Sequence, residues 1–230
     1  MTRQLGATRV AIVEDHTLFA ESLDVALTFE GHDVRRIAPG TSHCTTTGSL
    51  LRTVLQLKPR VVLLDLGLGP TGSGLPLVEP LTRAGAAVVV VTGSSDRVEW
   101  GECLRAGAST VLSKSQPLND ILATIRHLGE GRAVMSRDRR DELTATFLRD
   151  RSERHELRRQ LETLTTRERQ VLEQLMYGRT VREIAAASVV SEATVRTQVK
   201  SILAKLHVSS QLAAVGMAHR CGGLSYDSAS

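Results

Sequence analysis

The sequence predicts an α/β domain built on a five-stranded, parallel, doubly wound sheet, followed by a small all-α domain. The first part of the chain alternates short apolar runs with amphipathic helical patterns, which is typical of a parallel sheet covered by helices on both faces. Residues 138–162 are rich in charge and lack glycine and proline, and a compact run of helical patterns follows them. A chain of 230 residues is long enough for two such domains.

The predicted elements of the first domain alternate along the chain. The strands are predicted at residues 9–14, 32–37, 61–64, 87–91 and 110–112. The helices have apolar residues at helical spacing and are predicted at residues 17–29, 50–57, 75–84, 96–106 and 117–128, the last with Pro117 at its opening. In such a sheet the carboxyl ends of the strands meet at one edge, where ligands bind.

Changes in composition divide the chain into four segments. We predict an α/β domain at residues 1–131, a helical linker at 132–162, a helical domain at 163–220 and a flexible Gly- and Ser-rich tail at 221–230. Leucine and phenylalanine recur at roughly helical spacing in the linker. This pattern fits a solvated helix, and a short dimerising coil is the alternative.

Cysteine content and hydropathy predict a cytoplasmic protein without a membrane partner. Cys44, Cys103 and Cys221 are far apart and form no metal-like cluster, so we interpret them as reduced thiols. No apolar run approaches the roughly 20 residues of a membrane span, and residues 1–9 contain no apolar stretch typical of an export signal. Aromatic residues make up only 3% of the chain, so Val, Leu, Ile and Ala must form most of the core.

The net charge of +4 is unevenly distributed. Residues 1–131 carry about −1 and the remainder about +5. A basic C-terminal half suits contact with the phosphate backbone of a nucleic acid.

Polar side chains follow four of the predicted strands at the edge where ligands bind. They are Glu14 and Asp15 after the first strand, Asp65 after the third, Thr92 after the fourth and Lys114 after the fifth. Three carboxylates together need a cation, and hard oxygen ligands favour Mg²⁺. An aspartate held there can act as the nucleophile that accepts a phosphoryl group, while a lysine and a hydroxyl contact the phosphoryl oxygens.

Four segments of this half resemble the signature segments of response-regulator receiver domains: residues 10–16 (VAIVEDH), 61–65 (VVLLD), 88–93 (VVVVTG) and 107–114 (GASTVLSK). The resemblance spans about the first 130 residues and implies a flavodoxin-like fold that receives a phosphoryl group from a sensor histidine kinase. It implies that Asp65 is the phosphoacceptor and that Thr92 and Lys114 contact the phosphoryl oxygens. The implied Mg²⁺ ligands are Asp15, Asp65, the carbonyl of Gly67, and Glu14 through water.

The sequence departs from the receiver pattern at two places. Val111 stands where the family usually has an aromatic switch residue. The family's usual coupling between the threonine, here Thr92, and that aromatic residue is therefore in question. The loop of residues 66–74 is one residue longer and richer in glycine than the usual pattern, which predicts a looser backbone around the phosphate.

Two enzyme hypotheses compete for the same loop. Gly67, Gly69 and Gly72 have the spacing of a dinucleotide-binding fingerprint, but they follow the third strand and leave Glu14 and Lys114 unexplained. A phosphatase of the haloacid-dehalogenase type would also use a strand-end aspartate. It would need a second acid where this chain has Gly67, so we favour a protein that is not an enzyme.

The C-terminal segment carries the pattern of a helix-turn-helix. Residues 164–172 (LTTRERQVL) begin with capping-type threonines, and Thr180 opens a second helix with Ile184 and Ala185 facing inward. Ser191 caps a third helix, whose predicted buried stripe contains Val195, Val199, Ile202, Leu203 and Leu206. The other face of this helix displays Arg196, Thr197, Gln198 and Lys200, and such a face can meet base edges in the major groove.

Residues 164–206 closely resemble the DNA-binding domain of the LuxR and NarL/FixJ regulators. The resemblance implies that Arg196, Thr197 and Lys200 face the major groove of double-stranded DNA, whereas Arg182 and Lys205 contact phosphates. Gln198 stands where the family often has histidine. The order of the two domains is that of NarL/FixJ-type response regulators, which implies a transcription regulator that forms a homodimer on activation. A regulator whose first domain binds a protein or ligand without phosphorylation is the alternative.

Overall fold

The computed structural model describes residues 8–41 and 45–222, and the chain divides into two compact units, Met1–Leu148 and Arg149–Ser230. Cys44, most of the segment considered for an export signal and most of the predicted tail lie outside the described residues. Among the described helices, none is both long enough and apolar enough to cross a membrane.

The first unit contains a parallel sheet of five strands in the order β2-β1-β3-β4-β5, which confirms the predicted fold class. Strands and helices alternate along the chain as β1 (Arg9–Val13), α1 (Thr17–Phe29), β2 (Asp33–Ile37), α2 (Thr47–Gln56), β3 (Val61–Leu64), α3 (Leu75–Arg83), β4 (Ala87–Thr92), α4 (Arg97–Arg105), β5 (Thr110–Ser113) and α5 (Leu118–Gly129). The long helix α6 (Arg137–Glu162) follows and spans the division between the two units.

Both faces of the sheet are buried. Val13 and Leu64 belong to a core shared with α2, α3 and α4, whereas Ile12 and Leu63 belong to a core shared with α1 and α5. Successive residues of a strand point to opposite faces, so a strand covered on both sides must be apolar throughout. This explains why the central strands are continuous apolar runs.

Local hydrogen bonds shift several predicted boundaries. Helix α2 begins three residues earlier than predicted, because Thr46 and Ser49 form a capping box. Asp96 is the N-cap of α4 and accepts a hydrogen bond from the backbone N–H of Val98. Strands β4 and β5 each extend by one polar residue, since Thr92 and Ser113 still pair in register.

The second unit is helical, as predicted. It contains α7 (Thr166–Met176), α8 (Val181–Ser188), α9 (Glu192–Lys205) and α10 (Gln211–Arg220). Each of these four helices begins after a Ser or Thr N-cap whose hydroxyl accepts a backbone N–H three residues later: Thr165, Thr180, Ser191 and Ser210. The turn between α8 and α9 passes through Val189 in the left-handed conformation, with φ 53°. These contacts confirm the predicted caps at Thr180 and Ser191.

Candidate functional site

Three carboxylates meet at the carboxyl edge of the sheet. The pairing of Val13 with Leu64 brings the residues after β1 next to Asp65, whose backbone N–H donates to the carbonyl of Val13 at 2.9 Å. Glu14 and Asp65 are buried, with 5% and 4% exposure. One ligand atom from each of Glu14, Asp15, His16 and Asp65 can be chosen so that all lie within 4.8 Å of one another.

Lys114 is the cation of this cluster. Its Nζ lies 2.7 Å from Oδ2 of Asp65 and 2.8 Å from the carboxylate of Glu14. It also lies 5.4 Å from the ring centroid of Phe19, a contact that the sequence did not predict. Burial lowers the pKa of Lys114, but hydrogen bonds to Asp65 and Glu14 outweigh this effect and leave that pKa raised. The pKa of Glu14 is raised as well, because burial disfavours its charged form by more than the hydrogen bond from Lys114 favours it.

Asp15 and His16 lie at the open side of the cluster. Nδ1 of His16 lies 2.9 Å from Oδ1 of Asp15 and 3.2 Å from Oε1 of Glu14. In spite of this proximity, the buried Oδ1 of Asp15 has no hydrogen-bond partner among the described residues. A buried carboxylate oxygen that accepts no hydrogen bond is suited to a cation. Sequence reasoning missed His16, although it directly follows the two acids.

The glycine-rich loop after β3 is joined across by two backbone hydrogen bonds. The N–H of Leu68 donates to the carbonyl of Gly72, and the N–H of Gly74 donates to the carbonyl of Leu66, both at 2.9 Å. A Cβ on Gly74 would lie 2.1 Å from the carbonyl oxygen of Asp65, so only glycine fits there. The N–H of Gly67 donates to Oδ1 of Asp65 at 3.2 Å, so the backbone of residue 67 lies beside the acid.

Thr92 and Lys114 are joined through the backbone at the ends of β4 and β5. The N–H of Lys114 donates to the carbonyl of Thr92 at 2.8 Å. The side chain of Thr92 is buried, and its Oγ1 accepts a hydrogen bond from the N–H of Ser94 at 3.1 Å. Val111 is buried in β5, where it pairs in register with Val90.

Helix α9 has one buried face and one basic face. Four of the five residues predicted for its apolar stripe are buried, and Leu203 is partly buried. The predicted base-reading residues Arg196, Thr197 and Lys200 are exposed. Arg196 pairs with Glu192 at 3.2 Å within the helix. The exposed face of α9 therefore presents two positively charged side chains, Arg196 and Lys200, to solvent.

Three other predicted DNA-binding residues lie in different environments. Arg182 is exposed on α8. Gln198 is partly buried, and its Oε1 has no hydrogen-bond partner among the described residues. Lys205 is only partly exposed, with its Nζ 2.7 Å from Oε2 of Glu168. Lys205 is therefore already engaged in an ion pair within the unit.

Glu168 links α7 to α9. It is 6% exposed, and its carboxylate accepts hydrogen bonds from the backbone and hydroxyl of Thr165, the hydroxyl of Ser201 and Nζ of Lys205. Burial alone would raise the pKa of Glu168, but these hydrogen bonds lower it to about 2. The sequence predicted capping threonines at the start of α7 but not the two contacts with α9, which come from residues more than thirty positions later.

Comparison with known families agrees with both halves of this geometry. Residues 10–126 match the response regulator receiver domain, and residues 162–218 match the bacterial regulatory proteins of the luxR family. The first match alone covers half of the chain. Three relatives that match this chain are named as regulators.

Several characterised and uncharacterised regulators are similar over most of this chain. A nitrate/nitrite response regulator protein homolog of Haemophilus influenzae is 29% identical over 90% of this chain and 93% of its own length. The nitrate/nitrite response regulator protein NarP of Escherichia coli is 29% identical over 90% and 92%. The uncharacterized transcriptional regulatory protein YvfU of Bacillus subtilis is 28% identical over 75% and 80%. The chain therefore belongs to the transcriptional response regulators, with a receiver domain followed by a LuxR-type DNA-binding domain.

Proposed function

We propose that this protein accepts a phosphoryl group from a sensor histidine kinase on Asp65 and, in response, changes its sequence-specific binding to DNA. The observation that carries the proposal is the buried Asp65 carboxylate, 2.7 Å from Lys114 and next to two further acids at the edge of the sheet. The proposed DNA target places the protein in the cytoplasm.

In the proposed reaction, an oxygen of the Asp65 carboxylate attacks phosphorus, and the bond from phosphorus to the donor histidine breaks. Lys114 contacts one oxygen of the transferred group, and the Thr92 hydroxyl donates to another. A Mg²⁺ ion held by Asp15, Asp65, the Gly67 carbonyl and, through water, Glu14 would neutralise charge on the incoming group. The buried Oδ1 of Asp15, which accepts no hydrogen bond from the described residues, supports a cation at this position.

The first test is the mass of the protein after incubation with acetyl phosphate and Mg²⁺. We expect a gain of about one phosphate group in the native protein and no gain in Asp65→Asn. Asp120→Asn, a change at an exposed aspartate in α5, is the matched control and should gain phosphate normally. Persistent labelling of Asp65→Asn would contradict the assignment. Normal DNA regulation without any labelling would favour the alternative in which phosphorylation plays no part.

For the second unit, we propose that α9 lies in the major groove, with Arg196, Thr197, Gln198 and Lys200 towards the bases. Arg182 and Lys205 would contact phosphates. The exposed basic face of α9 supports this arrangement, as does the buried stripe that fixes the helix from beneath. Because the ammonium of Lys205 already pairs with Glu168, it would bind a phosphate and this carboxylate at the same time.

The second test separates base reading from backbone binding, once an operator has been selected from random duplexes. Lys200→Ala should cost about 1–3 kcal/mol on the operator and relax the preference at one base position. Arg182→Ala should weaken all sequences similarly and reduce the salt dependence by about one unit of slope. Arg158→Ala, an exposed charge on α6, is the control. Equal loss by Lys200→Ala on operator and scrambled duplexes would make Lys200 a phosphate contact only.

A further inference from the structure

Trp100 is the only tryptophan of the chain, and it lies in the first turn of α4. Its ring is partly buried against the core that α2, α3 and α4 share. The indole Nε1–H donates a hydrogen bond to the backbone carbonyl of Ser94 at 3.0 Å. Ser94 belongs to the segment between β4 and α4, two residues after Thr92. The ring therefore holds this segment from the side of the helix.

Ser94 also forms a hydrogen bond with Thr92, the residue proposed to contact the phosphoryl group. Its N–H donates to Oγ1 of Thr92 at 3.1 Å, and its own hydroxyl accepts from the N–H of Asp96 at 3.2 Å. A hydroxyl has one hydrogen to donate and two lone pairs to accept. Oγ1 of Thr92 uses one lone pair to accept the N–H of Ser94. The hydrogen of the Thr92 hydroxyl therefore points away from that N–H and is free to donate to another group.

We propose that Trp100 is a positioning residue for Thr92. Acting through Ser94, it holds the Thr92 hydroxyl in the orientation that donates to a phosphoryl group on Asp65. This proposal rests on the proposed phosphorylation of Asp65. Trp100 also gives the segment after Thr92 an aromatic partner. At the position where receiver domains usually have an aromatic residue, this chain has the buried Val111.

The neighbour of Trp100 connects α4 to the first half of α6. A Cβ on Gly101 would lie 2.2 Å from the carbonyl oxygen of Leu143, so the two helices touch backbone to backbone. The guanidinium of Arg140 donates to the carbonyls of Ala108 and Ser109 at 3.0 and 2.6 Å. Trp100 therefore lies one residue before the closest approach of α4 and α6.

The first measurement records the mass and the tryptophan emission of the full chain together, during incubation with acetyl phosphate and Mg²⁺. We expect the emission to change in step with the gain of phosphate, because Trp100 is the only indole and its N–H is bound to the segment that responds. Asp65→Asn should show neither change. Thr92→Ala should lose the emission change even in the fraction that carries phosphate. Phosphate gain without any change in emission would overturn the proposal.

The second measurement uses Trp100→Phe, which keeps an aromatic ring but loses the N–H donor and part of the packing surface of the indole. The rate of phosphate gain should fall roughly two- to tenfold, the effect of one lost hydrogen bond. Leu104→Ala is the matched control, since it removes packing from the same helix but no hydrogen-bond donor, and its rate should stay within about twofold of the native rate.

The outcomes distinguish this proposal from the one on which it rests. If Trp100→Phe gains phosphate at the native rate, or if Leu104→Ala slows the reaction as much, Trp100 is a packing residue and the positioning role is wrong, while Asp65 remains the phosphoacceptor. If the native protein gains no phosphate, the proposed function fails and this proposal falls with it.

Discussion

At the scale of single residues, Glu168 both caps one helix and binds another. Its carboxylate closes the capping box at the start of α7, and it also binds Ser201 and Lys205 on α9. The helix proposed to read DNA is thereby fixed by a charge that is 6% exposed. Removing one partner of a buried, charged hydrogen bond leaves the other groups unsatisfied, which costs more than the bond itself contributes.

We predict that Glu168→Gln lowers the unfolding free energy of the second unit by about 1–3 kcal/mol at neutral pH. The pKa of Glu168 in the folded protein is about 2, below its ordinary 4.5. Its stabilising effect is therefore complete above pH 4.5 and is lost as the pH falls from 4.5 towards 2. Denaturant unfolding of the full chain, followed by circular dichroism at several pH values, should show this acid-dependent loss in the native protein and not in the variant.

Glu183 provides the matched control for this change. It closes an equivalent capping box with Thr180 at the start of α8, but it is exposed, and among the described residues it forms no hydrogen bond or ion pair with α9. Glu183→Gln should therefore cost less than Glu168→Gln. Equal losses for the two variants would show that the caps alone account for the effect and that the contacts with Ser201 and Lys205 contribute nothing.

At the scale of elements, the first half of α6 packs as part of the receiver unit. Leu143 is fully buried in the core beside α4, and Glu142 forms ion pairs with Arg97 and Arg139 at 2.5 and 2.9 Å. The close approach of the two backbones requires a glycine at position 101. The compact unit accordingly extends to Leu148, beyond the end of the predicted first domain.

We predict that Gly101→Ala separates these helices. The added methyl group has no room, so the variant should lose about 1–3 kcal/mol of unfolding free energy. Amide hydrogen exchange should rise selectively in residues 137–148. Gly48→Ala is the control, because a Cβ at Gly48 in α2 meets no atom within 4 Å, and its unfolding free energy should stay the same or rise by up to about 1 kcal/mol. Unchanged exchange in α6 after Gly101→Ala would contradict the packing argument.

The sequence predicted the elements well because their signals are local. Periodicity identified the five strands, and hydroxyl residues identified the starts of α8 and α9, since a cap and its partner lie within three positions. Contacts between distant segments have no such signal. The fit of Gly101 against Leu143 and the contact of Lys205 with Glu168 depend on how helices pack, and neither spacing nor composition encodes that.

At the scale of the whole molecule, we predict that phosphorylation raises operator affinity and promotes a homodimer. A single helix-turn-helix makes few contacts, whereas two joined copies on two half-sites multiply their affinities. Titration of a labelled operator and sedimentation of the protein, each before and after acetyl phosphate, should show both changes together. Asp65→Asn should show neither. Unchanged affinity and mass at full phosphorylation would disprove this form of activation and direct attention to the valine at position 111.

The strand order has a consequence for how the two halves fold. Strand β1 lies between β2 and β3, and it pairs with β3 across roughly fifty residues of chain, as in Val10 with Val61. Closing so long a loop costs entropy before any contact compensates for it, so pairing of this kind is slow. Glu14 and Asp65 come together only through that pairing. We therefore expect the acidic site to be completed late in folding, and the helices of the second unit, which start from contacts three residues apart, to form early.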